Sequence, residues 1–147
     1  MITWYCKAFN ELSPLEVYSI LQLRNEVFVV EQNCVYQDCD NTDLQSHHFM
    51  GWQQNRLVAY TRLIPPGVVY EEISIGRVVT SPSIRGTKIG KELMIKSIDK
   101  IQELFGGSAI KIGAQLYLKN FYESLGFIQC SPTYLEDGIE HIKMIRN

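Results

Sequence analysis

Residues 75–90 read IGRVVTSPSIRGTKIG, an apolar strand that breaks into a tight, glycine-containing turn and then opens a helix. The turn is a candidate anion-binding site. Arg85 contributes a guanidinium, and the backbone N–H groups from Gly86 to Lys91 lie where a helix begins with unpaired donors and partial positive charge. The stretch therefore predicts a phosphorylated ligand.

The glycine spacing argues against two common phosphate-binding motifs. A P-loop needs four residues between its first glycine and the Gly-Lys pair, but only residues 87–89 separate Gly86 from Gly90. Glu92 also occupies the place of the magnesium-binding hydroxyl. The dinucleotide motif G-x-G-x-x-G needs a third glycine and an opening βαβ unit, and neither is present. A nucleotide hydrolase or kinase is therefore a poor interpretation.

The same turn resembles the acetyl-CoA-binding motif of the GNAT superfamily of N-acetyltransferases, Q/R-x-x-G-x-G/A after a strand and a proline-containing turn. Arg85, Ile89 and Gly90 match that motif. Lys88 replaces the usual first glycine, which is a departure in side chain but leaves the number of backbone donors unchanged.

Two further segments strengthen the resemblance. Residues 118–127, LKNFYESLGF, resemble the later helix of the family, in which a tyrosine precedes a Leu-Gly-Phe ending. Residues 23–32, LRNEVFVVEQ, together with Gly-Ala-Gln at 113–115, narrow the likeness to the ElaA-type branch over nearly the whole chain.

The resemblance implies a mixed α/β fold. We expect a central mixed, mostly antiparallel sheet with helices on both faces and a splayed pair of strands at the cofactor cleft. The order of predicted elements agrees, since strands and helices alternate along the chain. At 147 residues with 46% apolar and 20% charged residues, the chain is expected to form one acetyltransferase domain over residues 1–147.

The resemblance also implies the cofactor contacts. Acetyl-CoA is the expected co-substrate, with its diphosphate on the turn and its pantetheine arm along the backbone of the preceding strand. Gln115 and Asn120 are further candidates for holding amide groups near the cofactor. The predicted cofactor-binding residues are Val78, Val79, Thr80, Arg85, Gly86, Thr87, Lys88, Ile89, Gly90, Lys91, Gln115 and Asn120.

Acyl transfer to an amine needs a neutral nucleophile, stabilisation of an oxyanion and a proton for the leaving thiolate. Tyr122 resembles the family tyrosine that serves the leaving sulfur. An ordinary tyrosine is protonated at neutral pH, because its pKa is about 10. Tyr122 also belongs to an apolar helical stripe with Leu118, Phe121 and Leu125, so burial in the core is its alternative interpretation.

The general base is left open by the sequence. Many members of the family carry a glutamate on the strand where this chain has Gly76. Glu31 is the candidate catalytic carboxylate, and His48 or a water molecule is the alternative. Glu31 also has an ordinary interpretation as a solvated charge at a helix end, and His48 as a half-buried strand residue. Arg77 is expected to pair with an aspartate of the loop, Asp38, Asp40 or Asp43, or to bind an acidic group of the acceptor.

Charge and cysteine content limit the partners. The net charge of −2 has no long basic run, so neither nucleic acid nor a membrane surface is expected as a partner. The N-terminus lacks the pattern of a signal peptide, so a cytoplasmic location is expected. The four cysteines are then expected as thiols. Cys34, Cys39, His47 and His48 match no strong zinc spacing, so no metal is expected.

Periodicity and turn signals place the elements. Strands are predicted over residues 2–9, 48–53, 57–64, 72–80, 108–114 and 127–130, with a terminal hairpin around Asp137-Gly138. A capping box at Ser13-Pro14-Leu15-Glu16 begins a helix that runs to about Val30. Further helices are predicted from about Ile89 to Phe105 and from Leu118 to Leu125, and residues 32–46 form a long loop.

The sequence thus predicts an acetyl-CoA-dependent N-acetyltransferase that acts on an amine of an unidentified small molecule or peptide. The alternative is a non-catalytic acetyl-CoA sensor or partner-binding module, which the missing strand glutamate favours and Tyr122 opposes. The acceptor is not predicted, because acceptor pockets are formed by loops that vary independently of the scaffold. The terminal hairpin is exposed enough to allow a homodimer.

Overall fold

Eight strands and three α-helices alternate along the chain in the structure, a computed structural model that describes residues 1–147. The first half contains β1 (Thr3–Ala8), α1 (Pro14–Arg24), a π-helical segment (Asn25–Glu31), β2 (His47–Gln53), β3 (Arg56–Ile64) and β4 (Ser74–Thr80). The second half contains α2 (Ile89–Phe105), β5 (Ile110–Gln115), α3 (Lys119–Glu123), β6 (Ile128–Gln129), β7 (Tyr134–Glu136) and β8 (Ile139–Arg146).

The strands form two sheets that meet at a single point. One sheet has the order β1-β2-β3-β4, and the other has the order β5-β8-β6 with β7 paired to β8. Every ladder is antiparallel, and the sheets join through one parallel bridge between Ile73 and Ile110. There Lys111 N donates to Ile73 O at 2.8 Å. Beyond this bridge β4 and β5 have no ladder between them, which confirms the predicted splayed pair.

Helices cover both faces of the first sheet, as predicted. Successive residues of a strand point to opposite faces. Ala59 and Leu63 of β3 belong to the core cluster with Leu93 and Ile101 of α2. Tyr60, which follows Ala59 in β3, points to the opposite face and packs in a second cluster with Ile20 and Leu23 of α1.

The start of α1 follows the predicted capping box. Ser13 Oγ accepts from Glu16 N at 3.1 Å, and Ser13 N donates to Glu16 Oε1 at 2.8 Å. The expected single helix to about Val30 is wrong in its last part, because the chain widens into a π-helix over Asn25–Glu31. One or two turns of α- and π-helix have similar apolar spacing, so periodicity does not distinguish them.

The ends of the other elements shift by a few residues. The strand predicted to begin at 72 begins at Ser74, and the helix predicted from Leu118 is α3 after a 3-10 turn at Leu116–Leu118. Strands β7 and β8 are the two arms of the hairpin predicted around Asp137-Gly138. Helix α2 has the predicted bounds and ends at Gly106, whose φ of 82° suits glycine. Strand ends depend on which neighbour is available for pairing, which local sequence does not show.

Candidate active site

A cleft of about 930 Å³ opens between the diverging strands β4 and β5, which form two of its walls. The π-helical segment, the loop 32–46 and the tip of the β7–β8 hairpin also line it. Arg85 lies at one end of the cleft, and Asp40, Asp137 and His141 belong to the other walls. We call the region of Asp40, Glu136, Asp137 and His141 the acidic end.

The turn that precedes α2 has unpaired backbone donors. The N–H groups of residues 86 to 91 donate no hydrogen bond within the chain, whereas Glu92 N already donates to Lys88 O at 3.3 Å. Residues 86 to 91 are exposed or half-buried. Unpaired N–H groups and the positive end of the helix dipole attract anions. The turn therefore has the geometry of an anion-binding site.

Two residues of this turn have left-handed backbone. Gly86 has a φ of 83°, which glycine adopts without strain. Lys88, which replaces the glycine of the family motif, has a φ of 64° as the N-cap of α2. A non-glycine residue in this region costs roughly 1–2 kcal/mol. The lysine thus retains the backbone shape of the turn at some cost in stability.

Arg85 and Glu31 form a bidentate ion pair across the end of the cleft. Arg85 Nη1 donates to Glu31 Oε2 at 2.6 Å, and Nη2 donates to Oε1. The hydrogen bonds from Arg85 lower the pKa of Glu31 below its usual value. A carboxylate with a lowered pKa and a bound guanidinium is a poor proton acceptor, so this geometry does not favour the predicted role of Glu31 as a base.

Strand β4 presents an open edge to the cleft. Val78, Val79 and Thr80 line the cleft, as the resemblance implied. The ladder between β3 and β4 is irregular opposite Thr61, and Arg77 there has a φ of 50°. A bulge of this kind bends a strand and leaves backbone groups unpaired. The edge can therefore pair with amide groups of a ligand.

Arg77 pairs with the loop, as the structural interpretation predicted. Its Nε donates to Asp38 Oδ1 at 2.8 Å, and its Nη2 lies 3.4 Å from Asp40 Oδ2. The arginine is therefore already neutralised inside the chain.

Two more arginines complete this network. Arg24, which is 0% exposed, donates to Asp38 Oδ2 at 2.9 Å and to Asp43 Oδ1 at 2.7 Å. Arg62 Nη1 donates to Asp40 Oδ1 at 2.8 Å. Burial opposes ionisation of Asp43, but the hydrogen bonds and charges of Arg24 and Arg62 together outweigh it, and the pKa of Asp43 is lowered. The network fixes the loop 32–46 against the first sheet and so shapes one wall of the cleft.

Tyr122 belongs to the core and also lines the cleft. It is 5% exposed and packs edge-on against Phe121 and Phe127, so it belongs to the core. It also lines the cleft. Its hydroxyl makes no hydrogen bond within the chain but is not completely enclosed by protein atoms. Burial is the main cause that raises the pKa of Tyr122 above its usual value, and the nearby Tyr117 adds a smaller effect in the same direction. The phenol therefore stays protonated.

The remaining predicted residues separate. Gln115 lines the cleft at the end of β5, and its Nε2 lies 3.4 Å from Gln32 Oε1. Asn120 is exposed on α3 and does not line the cleft. His48 is 1% exposed and lies outside the cleft, with Nδ1 2.6 Å from the Tyr60 hydroxyl and Nε2 2.9 Å from Asp43 O. Both nitrogens of His48 are occupied, so the structure does not support it as a base.

Sequence reasoning missed the acidic end of the cleft. His141 of β8 and Glu136 of β7 line it, together with Asp137 at the predicted hairpin turn. The tip of this hairpin contacts the loop 32–46, because the Cys34 thiol lies 3.6 Å from Asp137 O. The hairpin itself was predicted from Asp137-Gly138, but its contact with a loop a hundred residues earlier has no local signal.

The structure contains neither a candidate metal site nor a helix that could span a membrane. No group of three or more His, Cys, Asp or Glu side chains is arranged to hold a metal ion. All four cysteines are free thiols. None of the helices has the length and apolar character needed to cross a bilayer.

Comparison with known sequences identifies close similarity along the chain. The family described as the acetyltransferase (GNAT) domain matches residues 11–147. The protein ElaA of Escherichia coli strain K12 is 45% identical over 148 residues, which cover 99% of this chain and 97% of that protein.

Solved structures show the same architecture. The crystal structure of Escherichia coli ElaA superposes with a TM-score of 0.94 at 44% identity, covering 100% of both chains. An acyl-CoA N-acyltransferase from Pseudomonas aeruginosa superposes with a TM-score of 0.96 at 40% identity, again over 100% of both chains. A GNAT family acetyltransferase from Elizabethkingia anophelis with acetyl-CoA bound shares the fold, with a TM-score of 0.67 at 16% identity over 99% of this chain and 97% of that one.

Proposed function

Because the chain belongs to the GNAT acetyltransferase family, we propose that it is an acetyl-CoA-dependent N-acetyltransferase that transfers an acetyl group to an amine. The proposal goes beyond family membership in two respects: the donor is acetyl-CoA, and the acceptor is an amine of a small molecule or peptide. The free thiols are consistent with the reducing cytoplasm as its location.

One observation carries the proposal. The unpaired N–H groups of residues 86 to 91 lie together at the start of α2, beside the cleft. Their combined partial positive charge suits a diphosphate, which offers several oxygens to one concave surface. Lys88 and Lys91 are exposed in the same turn and add positive charge.

The open edge of β4 supports the position of the pantetheine arm. The arm carries amide groups that need backbone partners, and Val78, Val79 and Thr80 line the cleft on an edge without a neighbouring strand. Such an arm would run along β4 from the turn toward the region of Tyr122. The contacts are to the main chain, so the proposal does not depend on the side chains of these three residues.

Tyr122 then assists the leaving group. Attack of a neutral amine on the thioester carbon forms the C–N bond and an oxyanion, and collapse of the oxyanion breaks the C–S bond. The thiolate leaves more easily with a hydrogen bond from the phenol, which burial keeps protonated. The coenzyme A thiolate takes a proton, and the attacking nitrogen loses one to give the amide.

The cleft also favours an amine as acceptor. Arg77 and Arg85, the arginines that line it, are already paired with carboxylates. Glu136 and Asp137 at the acidic end form no ion pair with a lysine or arginine. A cation entering there gains a favourable interaction, whereas an anionic acceptor would be repelled.

Calorimetry and thiol release test the two parts of the proposal. Acetyl-CoA should bind to the wild-type protein, and free thiol should appear when members of a panel of primary amines are added. Binding of acetyl-CoA with no thiol release for any amine would favour the sensor alternative. Absence of binding would contradict the proposal altogether.

A matched pair of glycine variants tests the position of the diphosphate. A Cβ at Gly90 or at Gly107 would meet no atom of the chain within 4 Å, so Gly90→Val and Gly107→Val should both fold. Only Gly90 belongs to the turn with the unpaired N–H groups, so only Gly90→Val adds bulk there. We expect it to weaken acetyl-CoA binding by at least about tenfold through lost charge-assisted hydrogen bonds, while Gly107→Val binds normally. Equal binding by both variants would place the diphosphate elsewhere.

A further inference from the structure

His141 is a buried histidine with one free ring nitrogen facing the cleft. It is 8% exposed, it lines the cleft, and it lies opposite Gln115 in the ladder between β5 and β8. Its ring stacks on Tyr134 with centroids 5.9 Å apart, so its orientation is held by packing.

The hydrogen bonding of His141 determines which nitrogen carries the proton in the neutral ring. Nδ1 lies 2.7 Å from Ile139 O, and a carbonyl oxygen only accepts hydrogen bonds. Nδ1 must therefore be the donor, which leaves the lone pair on Nε2. That nitrogen lies 3.6 Å from Glu136 Oε2, beyond hydrogen-bond distance, and has no other partner in the chain. This nitrogen is not completely enclosed by protein atoms, so it is open to the cleft that His141 lines.

The groups around Nε2 suit a cationic visitor. Glu136 of β7 and Asp137 of the hairpin turn are carboxylates of the same cleft wall, and neither is paired with lysine or arginine. Tyr134 of β7 is the other titratable group packed against the ring. The Nε2 lone pair and the Glu136 carboxylate are both hydrogen-bond acceptors, so no donor lies between them. An alkylammonium group can supply that donor, because it carries three N–H bonds.

We infer that His141 is the general base of the transferase, with Glu136 drawing the acceptor ammonium toward its Nε2. The inference rests on the proposed function and refines it, because it names the base and defines the acceptor class as primary amines that are protonated in solution. His141 replaces the two candidates from the sequence, since Glu31 is held by Arg85 and both nitrogens of His48 are occupied.

The proton balance of this step is simple. The acceptor R–NH₃⁺ passes one proton to Nε2, which produces R–NH₂ and an imidazolium that Glu136 stabilises. The amine lone pair then attacks the thioester carbon. His141 releases its proton to solvent after each turnover, so the overall reaction converts R–NH₃⁺ and acetyl-CoA into the N-acetylamine, coenzyme A and one proton.

Two acceptors separate catalysis by His141 from a structural role. One is an alkylamine that is protonated at the assay pH, and the other is a hydrazide that is neutral there. For His141→Gln we expect kcat/KM to fall by about 100-fold with the alkylamine, the usual contribution of a general base, and by much less with the hydrazide. The loss with the alkylamine should shrink as the pH rises toward the pKa of the amine itself, because the acceptor then loses its proton unaided.

Two controls accompany this variant. His47→Gln changes a histidine that packs on Phe105 outside the cleft and should leave both acceptors unaffected. The affinity for acetyl-CoA and the melting temperature of His141→Gln should match those of the wild type. Added imidazole should partly restore the rate of His141→Ala with the alkylamine, which a structural defect would not permit.

Glu136→Gln tests the attraction of the ammonium. We expect KM for the alkylamine to rise about tenfold, with a smaller change in kcat, because the carboxylate acts on the cation before chemistry. Glu140→Gln, an exposed carboxylate on β8 that does not line the cleft, is the matched control and should have little effect.

The inference is overturned if His141→Gln keeps wild-type kinetics with the alkylamine, or if it loses both acceptors equally at every pH. In those cases the proposed acetyltransferase function still stands, because the wild type is active. If the wild type releases no thiol with any amine of the panel, the proposed function fails first and the inference fails with it.

Discussion

The two ends of the cleft are built in different ways. The anion-binding end consists of consecutive residues: the Arg85 guanidinium and the backbone N–H groups of residues 86 to 91, which donate no hydrogen bond within the chain at the start of α2. The acidic end combines side chains of the loop 32–46 with residues of the β7–β8 hairpin, about a hundred positions later. Main-chain recognition is local and tolerates substitution, as Lys88 shows, whereas side-chain recognition depends on long-range packing.

A mutation in the arginine–aspartate network is expected to disrupt the acidic end most directly. Asp43→Ala leaves the fully buried Arg24 without one of its carboxylate partners, and breaking a buried pair costs about 3–5 kcal/mol. We expect urea unfolding at neutral pH to show a loss of that size and the loop to loosen. The matched control is Asp99→Ala, since Asp99 is exposed on α2 and forms no ion pair.

The same network predicts how stability depends on pH. The pKa values of Asp40 and Asp43 are lowered in the folded state, because the hydrogen bonds and charges of the arginines together outweigh the effect of burial. A group with a lowered pKa in the folded state stabilises fully above its unfolded pKa, and this stabilisation is lost as the pH falls through the folded pKa. Acid should therefore destabilise the wild type more than Asp43→Ala, which the difference in unfolding free energy between neutral and acidic pH would measure. An equal acid response in both proteins would contradict the role of the network.

Tyr122→Phe tests the region where the two ends meet. Removal of the hydroxyl should leave the core packing and acetyl-CoA affinity unchanged, while kcat falls by about 100-fold through loss of a donor to the thiolate. Tyr18→Phe, on the exposed face of α1, serves as control. A variant with the turnover of the wild type would mean that Tyr122 is only a core residue.

Glu31→Gln should have the smallest effect and acts on the anion-binding end. It releases Arg85 and removes a negative charge beside the expected diphosphate, so acetyl-CoA should bind about threefold more tightly, an effect typical of an exposed ion pair. High salt should remove the difference between this variant and the wild type. A large loss of turnover would instead restore Glu31 as the general base and contradict the role of His141.

The sequence alone predicted the turn with unpaired backbone donors before α2, the bounds of α2, the capping box at Ser13 and the pairing of Arg77 with the aspartate loop. These features follow from local rules of helix capping and turn geometry, or from the need of a buried charge for a partner. The π-helical segment, the contact of the β7–β8 hairpin with the loop 32–46 and the occupied nitrogens of His48 were not predicted. The last two depend on neighbours that are distant in the chain.

Local chemistry therefore determined where unpaired backbone donors gather, since these donors are adjacent in the chain and a helix start is sufficient to expose them. Tertiary structure decided which carboxylates stay unpaired, which histidine keeps a free nitrogen and which elements enclose the acidic end. Hydrogen-bond and ion-pair partners are selected by distance in space, and sequence spacing does not encode that distance for segments a hundred residues apart.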